Sequence, residues 1–391
     1  MRSIRGLTAL LAVAFAGFGG WALLLPVVPL ALSQEGNSDA VAGASTAIFM
    51  GATVVTQLLT PKALRALGYR WVLAVGCVLL GPPSFAFAAT LDPVPTLAIS
   101  AVRGIGFGFL TVGCGALVAE LAPPRLLGRA SASLGIASAA AQFVALPVGL
   151  LLERQIGTGP VFVVGALVPV AALVAVAVLP PTRPVPAGSR ERGRLPVAAI
   201  AGPIVAMIVV SAAFGGISSL LPIAAEHRAG AASIALAALT AAITAGRFVG
   251  GALADRFGYG KQLVPSLVVA AVGQGVLALA VRGDVSVPLV VAGSAVLGFG
   301  FGLLQADSFV VVFEAAGASG RGTASAVWNA AYDGGTGAGA LGSGVVATST
   351  GYPVVFALAA AVVLAAVPAT ITSGRAFGPA AARGRRPRSR S

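Results

Sequence analysis

Residues 6–34 read GLTALLAVAFAGFGGWALLLPVVPLALSQ, 29 residues without a charge between Arg5 and Glu35. A helix rises about 1.5 Å per residue, so about 20 apolar residues cross a hydrocarbon core of roughly 30 Å. This segment is long enough to do so. It is too long for the apolar region of a secretory leader, and no convincing small-residue cleavage site follows it. The pattern then recurs. Asp39 and Lys62 bracket 22 uncharged residues, and Arg70 and Asp92 bracket 21. Charged residues are only 9% of the chain, and mean hydropathy is +0.96. A soluble core helix is seldom apolar all round. The expectation is an all-α membrane protein with twelve transmembrane helices. The predicted spans are 7–31, 41–59, 71–89, 97–121, 130–151, 160–179, 197–222, 231–253, 262–281, 288–313, 323–347 and 353–372.

Charge gives these spans a direction. With the N-terminus inside, the inner segments hold 20 of the 25 Lys and Arg residues. Arg154, Arg228 and Arg282 fall outside, and Arg103 and Arg247 fall within spans. Such asymmetry orients short loops. It predicts a multi-pass protein of the cytoplasmic membrane with both termini cytoplasmic. The net charge of +13 is therefore mostly inside bias plus a basic tail, and does not imply nucleic acid. The tail can touch anionic lipid headgroups, or simply be solvated. Cys77 and Cys114 both fall in spans, which gives no disulfide framework, and a single histidine, His227, gives no metal cluster.

The chain repeats itself. Ala101-Val102-Arg103-Gly104-Ile105-Gly106-Phe107-Gly108 aligns with Ala295-Val296-Leu297-Gly298-Phe299-Gly300-Phe301-Gly302 at an offset of 194. The same offset pairs Glu120 with Glu314, and an offset of 190 pairs Leu67-Gly68-Tyr69 with Phe257-Gly258-Tyr259. Residues 1–179 and 196–373 thus read as two parallel six-helix halves, joined by a cytoplasmic linker at 180–195 and followed by a basic tail at 374–391.

Gly251-Ala252-Leu253-Ala254-Asp255-Arg256-Phe257-Gly258-Tyr259-Gly260-Lys261 resembles the signature loop of the major facilitator superfamily, and the resemblance covers the whole membrane region. It implies alternating access, with the substrate path between the halves near the bilayer midplane. It also implies that Asp255, Arg256 and Lys261, with Gly251 and Gly258, form a cytoplasmic gate motif that latches in the outward-facing state. Asp255 is expected to accept hydrogen bonds from a neighbouring helix N-terminus. The first-half copy departs from the pattern, with Arg65 where Asp255 stands in the second. Arg103-Gly104-Ile105-Gly106 is similar to the family's fourth-span motif and implies a part in proton coupling. The competing expectation is that Arg103 snorkels outward. Pro147 and Gly149 match only part of the fifth-span motif of exporters.

Other charges lie in apolar surroundings. Asp307, Arg247 and Asp333 fall inside spans 10, 8 and 11. Burial favours the neutral form of an isolated carboxylic acid, and an acid that changes protonation during rocking is what proton coupling needs. Asp333 is the first choice for that acid and Asp307 the second. An Arg247–Asp pair holding helices together is the static alternative, with Asp307 at the matching depth. Gln57, Gln142, Gln305, Asn329 and Tyr332 are candidates for a substrate cavity wall. No phosphate-cradling G-x-x-x-x-G-K-[S/T] loop and no nucleophile constellation occurs, so neither a nucleotide cofactor nor an enzyme is expected. The partners expected are a small-molecule substrate, protons and membrane lipid, for a chain that the resemblance implies to be a monomer. The function expected is proton-coupled export of a small apolar or amphipathic molecule. Proton-coupled uptake of a sugar or organic acid is the alternative, and a transporter-like receptor or lipid scramblase a further one.

Overall fold

The computed structural model describes residues 2–123, 126–182, 196–228 and 230–375. Arg125, nearly all of the linker expected at 180–195 and most of the basic tail lie outside the described residues. Twelve helical segments succeed one another: α1 (Arg5–Gln34), α2 (Asp39–Leu67), α3 (Tyr69–Ala88), α4 (Pro93–Leu121), α5 (Leu127–Ile156), α6 (Thr158–Val178), α7 (Val197–Ala224), α8 (Ala231–Phe257), α9 (Leu263–Ala280), α10 (Val287–Gly317), α11 (318–350) and α12 (Tyr352–Ile371). No strand occurs among the described residues.

The expected spans and these helices differ in instructive places. α1 is broken, as Arg2–Leu24 and Val27–Gln34, because Pro26 lacks the N–H that would continue the ladder. α3 is α-helical only to Leu80, and Pro82–Ala88 is a 3-10 turn. α2 runs eight residues beyond its expected end, through Pro61, to Leu67. Gly68 then reverses the chain in one residue at φ 80°, and its repeat mate Gly258 does so at φ 86°. Positive φ costs glycine nothing, having no Cβ.

α10 and α11 form one helical stretch, Val287–Thr350, bent at Gly317 with φ 63° and ψ −175°. Eleven of the twelve segments are long and apolar enough to cross a membrane, and α11 is the exception. Its residues are mostly Gly, Ala, Ser and Thr. The reason is its position. α11 is pressed between α7, where Gly335 and Gly339 meet the backbone of Ile208 and Ala212, and α2, where Gly337 and Gly344 meet Ala47 and Asp39. Close approach there demands small residues, not lipid-facing ones.

α1–α6 pack on one another, as do α7–α12. The repeat is visible in the packing. A Cβ on Gly104 of α4 would collide with the Phe49 carbonyl of α2, and one on Gly298 of α10 with the Leu239 carbonyl of α8. Those carbonyls are themselves 190 residues apart. Phe107 sits among Phe18, Trp21 and Phe49, and Phe301 among Phe214 and Tyr332.

Hydrogen bonds between the two groups climb along α2. Asp39 Oδ1 accepts from Tyr352 at 3.3 Å, and Ala40 N donates to Thr348 at 3.2 Å. Thr46 and Ser219 share a bond of 3.1 Å, and Gln57 donates to Asp333 at 2.6 Å. The last is the one nearest the face that carries Lys62, Arg65, Arg256 and Lys261, here termed the basic face. Towards that face no residue of α5 from 131 to 140 is fully buried, although Leu134 still packs on the core. The hydrogen bonds between the two groups named above thus run from the opposite face to Gln57–Asp333.

Gly104→Leu and Gly298→Leu are expected to destabilise the fold equally, by about 1–3 kcal/mol or more of overpacking each. Gly251→Ala, where a Cβ meets nothing within 4 Å, is expected to be silent. Thermal unfolding in detergent checks the ranking.

Candidate functional site

Asp333 lies where the two groups of helices last touch. It is 5% exposed, and its Oδ2 accepts from Gln57 Nε2 of α2 at 2.6 Å. Gln57 Nε2 also donates to Thr111 of α4 at 3.2 Å, while Gln57 Oε1 has no partner among the described residues. A carboxylate acceptor makes such a bond short and roughly twice as strong as a neutral one. Asp333 is therefore held across the seam by an amide from the other group of helices. That contact joins two expected site residues of different kinds, a coupling acid and a cavity-wall glutamine.

Beside Asp333, Tyr332 turns towards the second group. Its ring is parallel to Phe301 (10°, centroids 5.8 Å apart) and near-parallel to Trp328 (20°, 6.3 Å), with Phe214 at 6.2 Å. Trp328 Nε1 donates to Ser308 at 3.2 Å. Tyr332 also lies within electrostatic reach of Arg247. Arg247, half-buried on α8, donates through Nε to Gln305 Oε1 of α10. Its terminal nitrogens have no acceptor among the described residues. Asn329 and Gln142 bond their own helices, at Ser325 O (2.8 Å) and Ser138 O (3.3 Å), and both are half-buried.

The static alternative, an Arg247–Asp307 pair, does not form. Among the described residues the ion pair within 4 Å is Arg228–Asp284, which is exposed. Asp307 instead accepts from Gly260 N at 2.7 Å and Gln262 N at 2.9 Å, at the start of α9. Gln262 Nε2 in turn donates to Gly250 O at 3.0 Å. The first N–H groups of a helix lack intrahelical acceptors, and an anion there satisfies them. This is the role expected of Asp255, now filled by Asp307 from another helix. Asp255, Arg256 and Lys261 are exposed. Gly251, Asp255 and Arg256 belong to the last turns of α8 rather than to a loop, and the turn itself is made by Gly258 and Gly260.

Arg103 does not snorkel. It is 4% exposed and donates to Leu80 O at 3.3 Å and Gly20 O at 3.4 Å. Leu80 O ends the helical part of α3, so the helix break frees an acceptor for the guanidinium. Its Cζ also lies 5.4 Å and 5.5 Å from the centroids of the Phe49 and Phe87 rings. A cavity of about 20 Å³ adjoins it, lined by Ser45, Ser100 and Trp21, whose Nε1 is unpaired. That is room for one water.

Sequence reasoning missed the closed face. Gln34 Nε2 donates to Glu153 of α5 at 3.4 Å and to Glu226 beyond α7 at 3.2 Å, tying one helix group to the other. A cavity of about 240 Å³ lies beside them, with Arg154 and Arg228 in its wall. The signal was faint: acids on short loops, far apart in sequence.

Known proteins share this architecture. A profile described as the Major Facilitator Superfamily matches residues 10–228 and, in a second register, 203–388. The fold is similar to a crystal structure of a mutant of the nucleoside transporter NupG, at a TM-score of 0.73 and 14% identity, covering 94% of this chain and 99% of that one. It is also similar to a bacterial homolog of the human lysosomal transporter Spinster in an inward-facing, unoccupied conformation. There the TM-score is 0.78 at 14% identity, covering 96% of this chain and 98% of that one.

Asp307→Asn removes one of two amide acceptors and should cost about 1–3 kcal/mol. The expected result is a lower unfolding temperature and faster proteolysis near Gly258–Gln262, with Asp333→Asn leaving proteolysis there unchanged.

Proposed function

This chain belongs to the major facilitator superfamily, and we propose that it is a proton-coupled exporter of small amphipathic molecules working by alternating access. It is a multi-pass transporter rather than an enzyme. The observation that carries the proposal is the Gln57–Asp333 contact: a buried carboxylate whose partner comes from the other half of the bundle. A change in its charge therefore acts on the seam itself.

The mechanism follows from that contact. We take the basic face as cytoplasmic, where retained Lys and Arg hold a loop, and read the described arrangement, bonded across the opposite face, as the cytoplasm-facing state. Ionised Asp333 holds Gln57 and stabilises this state. Protonation replaces the charge-assisted bond by a neutral one about half as strong. Gln57 Oε1, unpaired, can accept the acid's O–H once the amide turns over. Both protonation states are thus satisfied, but only one grips. Substrate bound from the cytoplasm offsets the cost of parting α2 from α11, which must happen for the opposite face to open. Asp333, parted from Gln57, then takes a proton from outside as substrate leaves, and releases it to the cytoplasm when the ionised grip on Gln57 re-forms.

The remaining residues fall in place around this step. Tyr332 and Trp328, both half-buried, offer an apolar wall to the substrate, with Asn329, Gln142 and Gln305 as polar contacts. Asp255, Arg256 and Lys261 latch the cytoplasmic gate when that face closes. Arg103 keeps α1, α3 and α4 together through backbone carbonyls. One chain encloses the whole path, so a monomer suffices. The two halves, 1–179 and 196–373, are the bodies that rock.

In proteoliposomes with a pH gradient, Asp333→Asn is expected to reduce substrate-driven proton flux at least about tenfold while substrate counterflow persists. An Asp333→Asn protein that moves protons with substrate as the wild type does would sink the proposal. Accumulation in inverted vesicles rather than in whole cells checks the direction.

A further inference from the structure

We propose that Arg247 anchors an anionic group on the transported molecule, so that the substrate class is an amphipathic organic anion with a flat apolar body. The inference rests on the transport reading above and names what the seam carries.

Four charged side chains inside the apolar spans are at issue, and three have their charge accounted for. Asp307 is held by the amides that open α9. Asp333 faces Gln57 on α2. Arg103 is sealed among carbonyls and rings, with space beside it for no more than a water. Arg247 differs. It is half-buried, no carboxylate among the described residues lies within 4 Å, and its terminal nitrogens, not sealed from solvent, have no acceptor among them. A cation partly withdrawn from water without a counter-charge is costly. A ligand that brings the counter-charge recovers that cost, and a guanidinium presents the paired donors that a carboxylate accepts.

The surroundings point the same way. Gln305 Oε1 fixes the guanidinium through Nε and leaves the terminal nitrogens for the ligand. Gln305 is itself 3% exposed with Nε2 unpaired, a second uncompensated donor group at the same place and no acceptor. Tyr332, within electrostatic reach of Arg247, is near-parallel to Trp328, and both are half-buried, with Phe301 sealed behind Tyr332. The ring faces left uncovered stack a planar apolar body. Asp333 engages α2, whereas Arg247 bonds α10, so the anion and the titrating acid act on different neighbours of α11. Coupling then runs through the grip on Gln57 and not through competition for one charge.

The test uses the purified full-length protein in lipid nanodiscs and three probes that share one ring system: naphthoate, naphthamide and naphthylmethylammonium. Binding is read by calorimetry and by quenching of tryptophan fluorescence. The expected result is naphthoate at least about tenfold tighter than the amide, with the ammonium weakest. Arg247→Gln should lower naphthoate to the affinity of the amide and leave the amide unchanged. Arg247→Lys should keep part of the preference, and it decides the matter if the Gln variant does not fold. A wild type that binds the amide or the ammonium as well as naphthoate, or that fails to bind naphthoate at millimolar concentration, overturns the proposal, as does a preference surviving in Arg247→Gln. Proton flux is followed with the same probes. Naphthoate bound through Arg247 without flux would remove the transport reading and leave the anion site. Flux driven by the ammonium alone would do the reverse.

Discussion

A polar group inside hydrocarbon has no water to turn to, so its partner must come from the protein. That constraint shapes this bundle more than any other. Arg103 is solved with backbone: α3 stops being α-helical at Leu80, and the carbonyl released there accepts the guanidinium. Asp307 is solved with backbone of the other sign, the first amides of α9. Both solutions cross between helices, so each charge also fastens the elements that satisfy it. Arg247 and Asp307, which similar depth in their spans made the static alternative, do not pair. Asp307 is held by helix amides and Arg247 by Gln305, so no ion pair between them has to break when helices move.

Asp333 and Arg247 obey the same rule with side-chain amides, Gln57 and Gln305. An amide is a weaker commitment than a helix end. It can donate or accept, and it leaves capacity unused: Gln57 Oε1 and Gln305 Nε2 are both unpaired. Two of the four charges are thus held by adaptable side-chain amides, and two by backbone. The Asp333–Gln57 pair spans the two groups of helices, whereas the Arg247–Gln305 pair joins α8 to α10 within one.

Packing gives these contacts their precision. Glycines at repeat-related positions bring α4 onto α2 and α10 onto α8 within backbone distance. In lipid no hydrophobic drive brings helices together, so shape fit and close approach must do it. α11 takes this furthest. Its small residues leave it the one segment of the twelve not apolar enough to count as a span by composition, and they let it lie between α7 and α2, where Asp333 reaches Gln57.

The sequence by itself determined the helices, their number and the repeat, because a bilayer imposes one length on every span and duplication leaves its offsets in plain order. It also marked Asp333, Arg247, Asp307 and Arg103 as costly residues, since a charge in an apolar run is visible without coordinates. What each charge does was decided only in three dimensions. Gln57 and Asp333 are 276 residues apart, and Gly260 and Asp307 are 47 apart, so no local pattern links them. Gln34, Glu153 and Glu226 were equally scattered. A span's length is a property of the chain against its solvent, whereas a buried charge's role depends on which other helix happens to stand in front of it.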